Sequence, residues 1–221
     1  MSIHFRRRIS NQKYSTILRS FLADVTSFKT SQIVGVNRKT TDRYFNLFRK
    51  LIRQSALSER LQVKLENGIE VDESYFGPRR VRGQRGRGAR GKIIVLGILK
   101  RNGKVYSEII KNTEKEAVMP IIRRVVQSGS DIYSDGWKSY NALAVYGYNH
   151  KKVKHSENEF ARPDGTHING VESYWSWTKR RLNKFNGISK RHFSEYLLES
   201  EWRFNHRETL EKDLKILIRK S

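Results

Sequence analysis

Gly68-Ile69-Glu70-Val71-Asp72-Glu73-Ser74-Tyr75-Phe76-Gly77 alternates apolar and polar positions and closes on aromatic residues, so it reads as a strand with an aspartate at its centre. Downstream, Lys92–Leu99 is an apolar run of the kind found in central strands. After the turn Arg101-Asn102-Gly103, Val105–Ile110 returns as a third strand, completing an antiparallel meander. Glu114–Gln127 has helical periodicity, Asp131–Ser134 is a short strand, Lys138–Val145 a helix and Lys152–Lys154 another short strand. Two further helices are predicted around Asn169–Leu182 and His192–Phe204.

Three strands, then helix, strand, helix, strand and helices, is the order of an RNase H-like α/β domain, expected over residues 68–210. The preceding segment has a different texture. Tyr14, Ile17, Leu18, Phe21, Leu22 and Val25 form one helical stripe, Thr30–Val34 a short second one, and Tyr44, Phe45, Leu47, Phe48, Leu51 and Ile52 a third. The tight turn Gly35-Val36-Asn37 before the third stripe predicts a small all-α helix-turn-helix domain over residues 1–60. Arg38, Lys39, Thr40, Thr41 and Arg43 at the start of its last helix suit phosphates and base edges. A plain three-helix packing module with a solvated basic face is the alternative. Residues 54–67 read as a helical linker and 211–221 as a basic tail.

Charge narrows the function. The 221 residues hold 45 Lys and Arg against 22 Asp and Glu, a net +23, and the abundant polyanion that answers such a field is nucleic acid, ahead of anionic membrane. Zero cysteines exclude disulfides, thiolate zinc sites and cysteine nucleophiles. No run approaches the ~20 apolar residues of a membrane span, and the first residues lack a signal-peptide core; a cytoplasmic, nucleoid-associated protein is expected. Between the first two strands Arg79, Arg80, Arg82, Arg85, Arg87 and Arg90 are interleaved with glycine and accompanied by no acid. They predict a cationic flap for a phosphate backbone, or else a solvated hairpin loop.

In so basic a chain the placement of a few acids is informative. Asp72 lies within the first strand, Asp135 ends the fourth, and Glu172 opens a helix. In an RNase H-like sheet those two strands are neighbours, so the carboxylates can converge. Three oxygen ligands suit Mg²⁺ or Mn²⁺, and a pair of such ions would serve phosphoryl transfer. Lys179 follows Glu172 by seven residues and returns to the same helix face at about 100° per residue, where it can hold a DNA phosphate. Taken singly, each acid has a plainer reading, as surface acid, turn residue or helix N-terminal acid.

From about Gly68 to Arg207 the chain resembles the catalytic domain of bacterial insertion-sequence DDE transposases, in particular the Xanthomonas-type insertion-element group. The motifs are Val71-Asp72-Glu73-Ser74-Tyr75-Phe76-Gly77, Tyr133-Ser134-Asp135-Gly136, His167-Ile168-Asn169-Gly170-Val171-Glu172-Ser173-Tyr174-Trp175, Lys179-Arg180 and Phe204-Asn205-His206-Arg207, with 36 residues between Asp135 and Glu172. The resemblance implies binding of terminal inverted repeats, metal-dependent strand cleavage and strand transfer into target double-stranded DNA. It also implies two Mg²⁺ or Mn²⁺ ions on Asp72, Asp135 and Glu172, Lys179 and Arg180 on DNA, and at least a dimer. Asparagine is the third ligand in some members, which makes Asn169 a rival to Glu172; otherwise Asn169 positions DNA or caps its helix. Members can carry a cysteine zinc ribbon; with none here, end recognition is expected from the helix-turn-helix. His167 reads as a cap or a metal-site neighbour, and Trp137, Trp175 and Trp177 as core or as stacking platforms for bases. A non-catalytic DNA-binding regulator, a decayed transposase and an RNase H-like nuclease are the competing readings.

Overall fold

The computed structural model describes residues 9–77, 91–135, 140, 142–153, 168–185 and 187–221. The arginine-rich stretch with Arg79, Arg80, Arg82, Arg85, Arg87 and Arg90, as well as Trp137 and His167, lies outside the described residues. The chain divides into two compact units: residues 62–205, and residues up to 61 together with 206–221.

The larger unit is mixed α/β. Five strands, β1 (Ile69–Phe76), β2 (Ile93–Lys100), β3 (Val105–Ile110), β4 (Asp131–Asp135) and β5 (Asn149–Val153), form one sheet in the order β3-β2-β1-β4-β5. β1–β2 and β2–β3 are antiparallel hairpin partners, whereas β1–β4 and β4–β5 are parallel, which requires crossovers between them. Helix α4 (Lys115–Val125) makes the first crossover. It covers the face bearing Ile69, Val71, Leu96, Ile98 and Ile132. The other face, with Phe76, Val95, Leu99, Val105 and Tyr133, is covered by α5 (Asn169–Asn183) and α6 (Lys190–Asn205). Because successive strand residues point to opposite faces, Glu70, Asp72 and Phe76 share this second face. Within the predicted helix Lys138–Val145, the described part forms a 3₁₀ turn, Ala144–Tyr146.

α5 buries Val171, Tyr174, Trp175, Thr178, Arg181 and Leu182, a stripe at three- and four-residue steps. Its seat on the sheet is a space left by glycine: a Cβ on Gly97 would stand 2.4 Å from Trp175 Cζ2. The β3 edge is closed by α6, since Asn205 accepts from Val105 N at 2.8 Å and donates to Val105 O at 2.9 Å, and Glu201 accepts from Ser107 N at 2.7 Å. Blocking the outward-facing amides removes a template for strand addition.

The smaller unit contains α1 (Asn11–Leu22), α2 (Ser27–Val34) and α3 (Arg38–Gln62), packed through Tyr14, Phe21, Tyr44, Phe45 and Phe48 in edge-on contacts. Gly35 ends α2 in the left-handed region at φ +64°, where glycine is unstrained, and Asn37 caps α3 by accepting from Lys39 N at 2.8 Å. The segment expected as a basic tail forms a helix instead, α7 (Leu210–Arg219). Leu214 is fully buried, and Glu211 and Asp213 at the start with Arg219 at the end complement the helix dipole.

Candidate active site

The ladder between β1 and β4 pairs Ile69 with Ile132, Glu70 with Tyr133 and Val71 with Ser134. Carried one residue further, the same register sets Asp72 beside Asp135. Both are half-buried, and both belong to the face covered by α5 and α6. Their charge is felt next door. Burial pushes the Glu73 carboxyl up to about 7, partly offset by a hydrogen bond of 2.5 Å from Tyr140, with Asp72 and Asp135 adding like-charge repulsion. Glu73 lies on the opposite face, where Tyr140 is fully buried; it is a neighbour the sequence pattern did not single out.

α5 brings the remaining residues. Trp175 sits on Gly97, the partner of Asp72 across the hairpin, and Lys179, one turn later, lies 5.7 Å over the Phe76 ring. Burial pushes the Lys179 ammonium pKa down and Lys92 pushes the same way, while Asp72 opposes them; the net direction is down. Tyr174 donates to Ser107 on β3 at 3.2 Å, so that flank of the helix faces β3. Glu172 is about 160° from Tyr174 around the axis, and within about 20° of Lys179. Glu172 and Lys179 therefore share the flank of α5 opposite the one that faces β3, and of the two it is Lys179 whose charge interacts with that of Asp72. Glu172 and Asn169 are both exposed in the first turn. Among the described residues no three His, Cys, Asp or Glu side chains converge closely enough to hold a metal ion. Two hard oxygen donors on the sheet and a third on the facing helix fit a divalent cation by donor chemistry.

The other expected residues are placed as follows. Arg38, Lys39 and Arg43 are exposed on α3, and Arg38 pairs with Asp42 at 3.6 Å. Thr41 is fully buried, with its hydroxyl held by Ser27 O and Arg38 O at 3.1 and 2.9 Å, so it packs the unit and meets no base; Thr40 is half-buried. The basic face runs further than the start of the helix: Asn46, Lys50 and Arg53 are exposed and continue the line of Lys39 and Arg43 at helical spacing. Arg180 is exposed and donates to Ser176 at 2.7 Å. Trp175 is buried and Trp177 packs beside Tyr174 and Phe204, which assigns both to the core. In the first turn of α5, Val171 N donates to Glu70 at 2.9 Å.

The ISXO2-like transposase domain family matches residues 64–205. An uncharacterized transposase-like protein of Haemophilus influenzae is 43% identical over 105 residues, 48% of this chain and 84% of that protein. An uncharacterized protein in transposable element ISH50 of Halobacterium salinarum is 26% identical over 170 residues, 70% of this chain and 58% of that protein. Among solved structures, a chain of the simian T-cell lymphotropic virus intasome in complex with PP2A regulatory subunit B56 gamma superposes with a TM-score of 0.41 at 11% identity, covering 65% of this chain and 50% of that one. The Mos1 transposase paired-end complex with left transposon end gives 0.32 at 12% identity, covering 97% and 82%. No helix among the described residues is long and apolar enough to cross a membrane.

Proposed function

Because the chain belongs to the ISXO2-like transposase domain family, we propose that it is an insertion-sequence transposase. It binds the terminal inverted repeats of its element and performs divalent-metal-dependent strand cleavage and strand transfer. The observation that carries this reading is the parallel β1–β4 register, with Val71 opposite Ser134, which supports Asp72 and Asp135 as neighbours at the next step on the face that α5 covers. The sheet order β3-β2-β1-β4-β5, with three antiparallel strands and two parallel ones, supports an RNase H-like catalytic domain. The pair α2–α3 joined at Gly35, Val36 and Asn37 supports a helix-turn-helix.

Asp72, Asp135 and Glu172 would hold Mg²⁺ or Mn²⁺. When bound, such ions would activate the attacking water or hydroxyl and neutralise charge on the leaving oxygen. The chain's own residues supply the rest. Lys179 places an ammonium near Asp72 and binds the phosphate beside the cleaved bond. Trp175, wedged on Gly97, keeps water from the inner side of α5. Lys39, Arg43 and Lys50 on α3 hold the element end, with Arg180 on the catalytic domain binding a further phosphate. The substrates are double-stranded element ends and target DNA, and joining two ends calls for at least a dimer on DNA.

The direct test is nicking of DNA carrying the element's ends, with Mg²⁺ or Mn²⁺ and without. Cleavage that requires the metal supports the proposal. End binding with no cleavage under any divalent ion would assign the chain to a non-catalytic, regulatory class.

A further inference from the structure

Glu70 is 1% exposed, and its two carboxylate oxygens are divided between two partners. Oε1 accepts from Arg101 Nε at 3.0 Å, and Oε2 accepts from Val171 N at 2.9 Å. Arg101 is held in turn: its guanidinium lies 3.7 Å over the Tyr133 ring, and its backbone N–H donates to Gly68 O at 3.0 Å. One ion pair, between fully buried Glu70 and an Arg101 side chain that is 23% exposed, thus joins β1, the β2–β3 turn, β4 and the first turn of α5.

The attachment points are not scattered. Glu70 stands two residues before Asp72, Tyr133 two before Asp135 on the same face, and Val171 immediately before Glu172. Glu70 and Tyr133 are themselves register partners. The N-cap of α5 is Ile168, which offers no side-chain cap, so the carboxylate of β1 takes a first-turn N–H and adds negative charge at the positive end of the helix. Close approach is built in: a Cβ at Gly170 would stand 2.8 Å from Glu70 Oε2.

An ion pair with one fully buried member is a poor source of stability, since taking the carboxylate out of water costs free energy that the pairing must first repay. Its advantage is directional: hydrogen bonds of fixed geometry hold neighbouring groups at set distances, as the outer partners of metal ligands do. We propose that Glu70 and Arg101 are positioning residues that fix the mutual spacing of Asp72, Asp135 and Glu172. This rests on the active-site reading above.

The test uses the full chain and two conservative variants, Glu70→Gln, which keeps the size and one acceptor, and Arg101→Lys, which keeps the charge but loses the fork and the stacking on the Tyr133 ring. Two quantities are measured: amide hydrogen exchange of the first turn of α5 without metal, and Mn²⁺ binding by titration calorimetry. Far-UV circular dichroism checks the fold. Both variants should keep the wild-type spectrum, exchange faster than wild type over residues 169–173, and need about 10–100-fold more Mn²⁺ for half-saturation. Exchange and Mn²⁺ titrations that superpose on wild type would overturn the positioning role. If the wild-type chain takes up no Mn²⁺, the metal reading is what fails, and the exchange data still decide whether Glu70 and Arg101 order α5.

Discussion

The positions of Asp72 within one strand and Asp135 at the end of its parallel neighbour were legible in the sequence, because side-chain alternation leaves little freedom in which face each acid shares. The third position was not settled that way, since Asn169 and Glu172 stand three residues apart on one helix. Charge favours Glu172, since a carboxylate neutralises a divalent ion where an amide cannot, and Lys179 lies within about 20° of Glu172 around the helix. Glu172→Gln should therefore abolish cleavage as severely as Asp72→Asn, and Asn169→Ala should retain measurable activity. A metal-titrated nicking assay that ranked them in reverse would make the amide the ligand. Glu70 was illegible for a physical reason. Its role depends on Arg101, just beyond the next strand, and on Val171, some hundred residues away in the chain, and sequence pattern carries no trace of that juxtaposition.

Most helices follow from periodicity because each buries one stripe, while the central strands, covered on both faces, show as apolar or alternating runs; boundaries shifted by only a few residues. α7 escaped because its charges suggested a tail, whereas its apolar residues bury Leu214 fully and Ile216, Leu217 and Ile218 partly. His206 anchors the same helix. It bonds Asp213 at 2.7 Å through Nδ1 and Glu59 at 3.1 Å through Nε2. Burial pushes the imidazole pKa down, but the hydrogen bonds and charges of Glu59 and Asp213 outweigh it, and the net direction is up. A raised histidine pKa gives stability that is complete below the ordinary value of about 6.5 and is lost as pH rises through the folded value. The stability gap between wild type and His206→Gln, measured by denaturant unfolding, should be wide at mildly acidic pH and close in the alkaline range; a gap that widened with pH would contradict the charged pair. The seat of α5 gives a second test. Gly97→Ala puts a methyl group where Trp175 lies, so it should cost about 1–3 kcal/mol and lower Tm, with a loss of cleavage larger than the loss of DNA binding.

Across the chain, the net charge of +23 directed attention to nucleic acid chemistry, but charge alone does not say which surface is used. The described surface that fits best is the face of α3 bearing Lys39, Arg43, Asn46, Lys50 and Arg53. Replacing Lys39, Arg43 and Lys50 with Ala should flatten the salt dependence of DNA binding by about 0.9 in log–log slope for each phosphate no longer neutralised; an unchanged slope would remove that face from the interface. The central claim, that Asp72 and Asp135 form a metal-dependent cutting centre in a unit separate from the DNA-holding helices, is tested most directly by one comparison. Nicking and end binding are measured together for wild type, Asp72→Asn and Asp135→Asn in Mg²⁺. Both variants should lose nicking by at least about a hundredfold while binding DNA ends as wild type does; nicking that survived either substitution would rule out Asp72 and Asp135 as the cutting centre.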